Sequence, residues 1–494
     1  MNEDVSKRVN IILRIENKKL YSGVIWKFLE RVGVQGVQFV LQIVLARILS
    51  PEHYGMLSIM VIFTSLANVF IQNGFNTALI QNKDVTEEDY SSVLWVTLGV
   101  SGVLYGVIFV TAPLISEFYN MPDVVKPLRV LAIMLFPGAL NSIQLARISR
   151  ALDFKKVFYS NLAAIVIAGV AGVAIAYAGG GVWALVAQSL INTIVACVVM
   201  FFTAKLKVQF KCNLARVKEL FAFGWKLLVS GLIETLYQDL SSLIVGKKYN
   251  SSTLAYYNRG KQFPQIITVI ISSSIQSVML PTMSAEQDDK SKVKQLTSSS
   301  ISLLSFIVFP VMAGLAAVAE PLIGFLLTEK WLFAVPYMQV FCLVFASYPI
   351  AVCNLQSINA IGRSDIFLKL EIVKKILGVS VLMVSVFLFQ SPIAIAIADA
   401  VVSVIAWFIN AYPNRKLINY SYKEQLSDFL PSLLISLVMF VAVLFIGKLE
   451  LNVFVLLVLQ VFVGVAVYFI LSAIFKPKAY KLLLEQAKSI FKKE

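Results

Sequence analysis

Charge-free apolar runs leave this chain one environment in which to fold. Residues 54–82, 90–116, 262–285, 295–319, 331–362 and 451–475 contain no Asp, Glu, Lys or Arg. Residues 157–204 are also charge-free and long enough for two spans, with Ala178-Gly179-Gly180-Gly181 as the turn between them. A bilayer core needs roughly 20 apolar residues per helix. The pattern predicts an all-α polytopic membrane protein of about fourteen transmembrane helices. They fall near 22–48, 54–80, 90–116, 128–147, 157–178, 182–204, 220–246, 254–283, 295–327, 333–360, 366–389, 393–412, 428–447 and 451–475.

In 494 residues such spans leave only short loops, and no loop domain that could carry a catalytic set. The expectation is therefore a non-enzyme without catalytic residues. The single histidine, His53, and the scattered Cys197, Cys212, Cys342 and Cys353 have no metal-ligand or disulfide spacing, so no metal and no cofactor are expected. Residues 1–20 are polar and of mixed charge, unlike a cleavable signal.

A net charge of +15 would suggest nucleic acid in a soluble protein. Here the cations follow topology instead. With the N-terminus inside, cytoplasmic segments hold Lys7, Arg8, Arg14, Lys83, Arg147, Arg150, Lys205, Arg216, Arg363, Arg415, Lys416 and the tail lysines, among others. The opposite loops hold only Lys126, Lys247, Lys248, Lys330 and Lys448. This positive-inside bias predicts that both termini are cytoplasmic and argues against a nucleic-acid partner.

A repeat runs through the chain at offsets of about 200–215 residues. Ala46-Arg47 and Tyr54-Gly55 are echoed by Gly246-Lys247 and Leu254-Ala255, and Pro113-Leu114-Ile115 by Pro321-Leu322-Ile323. Asn141-Ser142-Ile143-Gln144 is echoed by Gln356-Ser357-Ile358-Asn359. Two halves of six helices in the same orientation fit two parallel repeats. The expected division is a cytoplasmic segment 1–21, bundles 22–205 and 220–416 joined by linker 206–219, peripheral helices 424–475 and a basic tail 476–494.

Polar residues line one face of several spans at helical spacing. The first carries Lys27, Arg31, Gln35, Gln38 and Gln42, and the second Asn68, Gln72 and Asn76. The seventh carries Lys226, Ser230, Glu234 and Gln238, and the eighth Asn258, Gln262 and Gln265, with Arg259 and Lys261 close by. These stripes obey the same symmetry as the repeat. Single amides are ordinary helix–helix glue, but a charge at the bilayer centre costs about 2.5–3.5 kcal/mol. Whole stripes with Lys, Arg and Glu therefore predict a hydrated cavity. Its cations and amides, with little aromatic stacking, suit an anionic, hydroxyl-rich substrate. Glu30, Glu234, Asp239 and Asp399 are the acidic candidates for ion coupling. Asp399 has no neighbouring base and needs a partner from another helix, whereas Glu371 has Lys374 or Lys375 at hand.

The order of motifs resembles a known family. The residues are Leu45-Ala46-Arg47-Ile48-Leu49-Ser50-Pro51-Glu52-His53-Tyr54-Gly55, Gly74-Phe75-Asn76-Thr77-Ala78-Leu79-Ile80-Gln81 and Glu329-Lys330-Trp331. The most specific piece is Leu254-Ala255-Tyr256-Tyr257-Asn258-Arg259-Gly260-Lys261-Gln262, leading to Met279-Leu280-Pro281 and Gln287-Asp288-Asp289. Over about residues 22–420 the chain is similar to polysaccharide flippases of the multidrug/oligosaccharidyl-lipid/polysaccharide exporter superfamily, in the Wzx-like branch of colanic acid and teichuronic acid exporters. The resemblance implies two six-helix bundles related by a pseudo-two-fold axis around a V-shaped cavity, plus two C-terminal helices. It implies outward flipping of undecaprenyl-pyrophosphate-linked repeat units across the bacterial inner membrane, coupled to an ion gradient, with polymerase and assembly proteins as further partners. Where the family often has Asp two residues before the glycine of helix 2, this chain has Gln72, so an acidic role there is absent. Two alternatives remain: a multidrug antiporter of the same architecture, which would favour an aromatic and acidic lining, and a membrane polymerase or ligase, which would carry a large external loop.

Overall fold

The computed structural model describes residue 26 and residues 33–82, 84–204 and 208–491. All regular structure among these is helical, with no strand. The helices are α1 (Gln35–Ile48), α2 (Pro51–Gln72), α3 (Phe75–Gln81), α4 (Glu87–Tyr119), α5 (Val125–Leu131), α6 (Leu135–Ala151), α7 (Phe154–Tyr177), α8 (Val182–Ala204), α9 (Leu214–Lys248) and α10 (Ser251–Ala285). They continue with α11 (Lys290–Ala317), α12 (Ala319–Leu327), α13 (Val335–Ala360), α14 (Ser364–Leu388), α15 (Pro392–Ala411), α16 (Asn414–Leu417), α17 (Tyr422–Ile446), α18 (Val453–Phe475) and α19 (Lys478–Phe491).

Local chemistry sets many of the ends. Thr86 and Asp89 form a capping box on α4, with the Asp89 amide donating to Thr86 Oγ1 and the Thr86 amide to Asp89 Oδ2. Ser421 and Glu424 do the same for α17. Pro51 and Pro392 open α2 and α15, where the missing amide costs nothing. Within the apolar helices, hydroxyls bond back to their own turn, as Thr97 does to the Val93 carbonyl (2.7 Å) and Ser101 to that of Thr97 (2.8 Å).

Among the described residues ten helical segments are long and apolar enough to cross a membrane, or up to eleven if the bent pair Leu214–Ala222 and Gly224–Lys248 is one span. That is fewer than the fourteen expected, in part because the described residues do not cover every expected span. Of the range 22–48, α1 supplies 14 residues, and most of what precedes it lies outside the described residues. Helix α14 carries Lys369, Glu371, Lys374 and Lys375, and on α10 the side chains of residues 273–278 lie outside the described ones. Two expected spans are also interrupted. The range 54–80 breaks at Asn73-Gly74, where Gly74 takes φ 109°, and 295–327 breaks at Val318 between α11 and α12.

The chain divides into two compact units, Met1–Leu254 and Ala255–Glu494. In the first, α7 packs along α8, and α2, α4, α6 and α9 surround a core of Phe75, Leu79, Tyr90, Leu94, Ile143, Val217 and Leu220. Helix α9 is drawn into this unit by its linker. The Gln209 and Asn213 amides donate to the hydroxyls of Ser91 and Ser92 (both 2.9 Å), and Trp95 Nε1 donates to the Gln209 carbonyl (2.9 Å). Arg216 then bridges Asp89 (3.2 Å) and donates to the Asp84 carbonyl (2.9 Å).

In the second unit α11 packs against α13 and α17, around Met279, Ile301, Phe309, Ile350, Cys353, Tyr420 and Phe429. A fully buried amide network ties its helices: Asn354 donates to Gln425 (3.0 Å), and Asn414 donates to Asn354 Oδ1 (2.8 Å). Buried amides hold helices this way where no water can serve them. The tail forms α19, anchored by Lys478 Nζ to Asp428 Oδ1 at 2.8 Å, while Tyr420 donates to Asp428 Oδ2 at 2.6 Å. All four cysteines are free thiols, Cys212 exposed and the others buried.

Candidate functional site

The polar stripes are distributed over both units. Lys27, Glu30 and Arg31 lie outside the described residues. On α1, Gln35 is exposed and Gln38 and Gln42 are half-buried, within one narrow arc of the helix. On α2, Asn68 is half-buried and Gln72 exposed at the last turn. Asn76 does not continue that row, because the Asn73-Gly74 break puts it on α3. The side-chain oxygens of Asn68 and Asn76 are buried and accept no hydrogen bond among the described residues. Such atoms are served by ordered water or by a ligand donor.

Helix α9 carries the clearest row. Lys226, Ser230, Glu234 and Gln238 are all exposed, one turn apart on a single face. Gln238 Nε2 donates to Glu234 Oε1 at 2.8 Å, so the carboxylate's neighbour along the row is an amide. Asp239 is half-buried and lies about 100° round the helix, off the row. The helix seats directly on the α2–α3 break. A Cβ at Gly224 would lie 2.6 Å from the Gly74 carbonyl atoms, and one at Gly231 2.1 Å from Asn73 Nδ2. Only glycine permits that approach.

In the second unit the motif around Arg259 forms a compact group on α10. Arg259 is 7% exposed, donates from Nη1 to Gln262 Oε1 at 2.7 Å, and lies 5.3 Å from the centre of the Trp331 ring. Lys261 is more open, its Nζ 6.0 Å from the Phe341 ring. Asn258 is half-buried and Gln265 exposed. Gly260 lets α10 close on α13, since a Cβ would lie 2.7 Å from the Met338 amide nitrogen and from Tyr337 Cβ. Asp399 on α15 takes its partner from another helix, as the sequence requires: the Tyr257 hydroxyl donates to Oδ2 at 2.7 Å. Glu371 pairs with Lys374 at 2.6 Å.

The α10 cations lie beside buried aromatic rings. Tyr256, Tyr257, Trp331, Tyr337 and Phe341 crowd this segment, with Tyr257 edge-on to Tyr337 and Phe341 at 5.9 and 5.1 Å. Periodicity on α10 misses Trp331, Tyr337 and Phe341 because they arrive from residues 331–341. The only trace in the sequence is that both segments carry family motifs.

A family described as polysaccharide biosynthesis protein matches residues 44–336. The chain is 23% identical to the succinoglycan biosynthesis transport protein ExoT of Rhizobium meliloti over 67% of each chain. It is also 23% identical to the teichuronic acid biosynthesis protein TuaB of Bacillus subtilis, over 84% of this chain and 86% of that one. Among solved structures it is similar in fold to the lipid II flippase MurJ in an inward closed conformation, with a TM-score of 0.72 at 16% identity over 94% of this chain and 100% of that one. The motif resemblance is thereby borne out, and the chain belongs to the polysaccharide biosynthesis protein family.

Proposed function

We propose that this protein flips undecaprenyl-pyrophosphate-linked oligosaccharide repeat units across the bacterial cytoplasmic membrane for surface polysaccharide biosynthesis. The observation that carries the reading is the exposed row Lys226, Ser230, Glu234 and Gln238 on α9, in a chain of this family. Charged groups that meet hydrocarbon cost about 2.5–3.5 kcal/mol, so such a row belongs against water. A diphosphate with several sugars cannot cross a bilayer bare. A cationic, amide-lined path shields the head group while the prenyl tail stays in lipid. Its similarity to a succinoglycan biosynthesis transport protein, and in fold to a lipid II flippase, supports the same reading.

Within this proposal Lys27 and Arg31 take the pyrophosphate on the cytoplasmic side, assisted by Gln35, Gln38, Gln42, Asn68, Gln72, Asn76 and Lys226. Lys261, Gln262 and Gln265 meet it later, and Glu234, Asp239 or Asp399 couples an ion gradient. The finer architecture is part of it too: fourteen helices in two six-helix bundles, 22–205 and 220–416, with two further helices, both termini cytoplasmic and polymerase and assembly proteins as partners. These boundaries follow the internal repeat, whereas compactness alone groups α9 with the first unit.

Deleting the gene tests the reading in cells. Lipid-linked repeat units are expected to accumulate, and to stay protected from a glycosidase added outside the cytoplasmic membrane. Accumulated units that the glycosidase digests would place the block after flipping and contradict the proposal.

A further inference from the structure

One end of the first unit holds a cavity of about 480 Å³ that the stripes do not use. Three chain turns meet there: the start of α2, the segment from α4 into α5, and the glycine turn between α7 and α8. By the positive-inside pattern this is the external end. Its lining includes His53, Asp123, Lys126, Arg129, Gly181 and Trp183.

The lining is held in place. Ser50 Oγ lies 3.1 Å from His53 Nδ1, which fixes the only imidazole of the chain. Gly181 has φ +54°, and a Cβ there would stand 2.9 Å from His53 Nε2, so the turn backbone rests against the ring edge. Arg129 donates from Nε to the Phe109 carbonyl at 3.0 Å, with its guanidinium 4.1 Å from the Phe109 ring centre. That fixes its stem and orientation and leaves the terminal nitrogens for a ligand. Lys126 and Asp123 are exposed, and Trp183 is 40% exposed.

Each group answers a different part of one kind of molecule. Guanidinium and ammonium groups pair with a carboxylate or phosphate. Asp123 accepts from hydroxyls, and the indole offers an apolar face for the flat side of a sugar ring. A bare anion gains nothing from Asp123 or Trp183, and a lipophilic ligand gains nothing from the charges. The volume lies in the range of small-molecule sites, about 300–1,000 Å³.

We propose that this pocket binds an acidic saccharide, carrying a uronate or a phosphate, at the external end of the first unit. The choice of ligand rests on the flippase reading, under which the pocket would hold the glycan as it leaves. The test is calorimetric titration of the full-length protein in phosphatidylcholine nanodiscs with a glucuronate-containing disaccharide, a neutral disaccharide and inorganic phosphate. The acidic disaccharide is expected to bind saturably, with the neutral sugar and phosphate each weaker by roughly tenfold or more. Lys126→Gln, Arg129→Gln and Trp183→Ala should each weaken it by roughly tenfold with an unchanged melting transition, and Trp183→Phe should retain it. No saturable binding, equal binding of phosphate, or parent-like binding by all the variants would overturn the proposal. Failure here with intact flipping removes the pocket alone, whereas binding without flipping removes the flippase reading alone.

Discussion

Arg259 and Lys261 stand two residues apart in one motif, yet their surroundings give them different work. Arg259 is buried against Trp331 and bonded to Gln262, so it wedges α10 onto the segment before α13. Arg259→Ala should lower stability by about 1–3 kcal/mol, read as a drop in the melting temperature of the purified protein. Lys261 is more open, and Lys261→Ala should leave the melting temperature nearly unchanged while reducing polymer export. Equal melting temperatures for the two variants would show that the burial of Arg259 contributes nothing. Glu234 belongs to the same scale. Its neighbour in the row is the Gln238 amide, which Glu234→Gln can still engage through its carbonyl oxygen. That variant should keep expression and substrate binding but make transport in vesicles insensitive to an imposed pH gradient. A parent-like response would move coupling to another residue.

At the scale of elements the paired irregularities of α2–α3 and α9 matter most. Gly224 meets the Gly74 backbone at the break, and any larger residue must push two helices apart. Gly224→Val should cost on the order of 1–3 kcal/mol, seen as lost folded yield and a lower melting temperature, while Ala222→Val, at an exposed position beside it, should be nearly neutral. If Gly224→Val matched the parent, the close approach would be dispensable. The break itself was not legible in the amide spacing, because Asn68, Gln72 and Asn76 also fit an unbroken helix. Gly74 was visible as a residue, but only its φ of 109° and the backbone packed on it show a break. The attachment of α9 was equally silent, since it depends on Ser91, Ser92 and Trp95 bonding a linker more than a hundred residues away. Charge-free runs, by contrast, announced α8 and α18 to within two residues and α4 to within three, because the bilayer allows little else over such lengths.

For the whole molecule, the family and its class of fold were readable from ordered motifs, whereas the environments of the site residues were not. Asp399 was legible as a group needing a partner, but its partner Tyr257 was not, because nothing local links residues 142 apart. The central claim is that the chain carries a lipid-linked glycan from one leaflet to the other. The most direct measurement uses purified protein in sealed vesicles containing undecaprenyl-pyrophosphate-linked oligosaccharide, with the glycan titrated by an impermeant external glycosidase. Vesicles with the parent protein should expose the inner-leaflet pool over time, and protein-free vesicles and those with Lys226→Ala should keep it protected. If the inner pool stays equally protected in all three, the protein does not flip this substrate and the account fails.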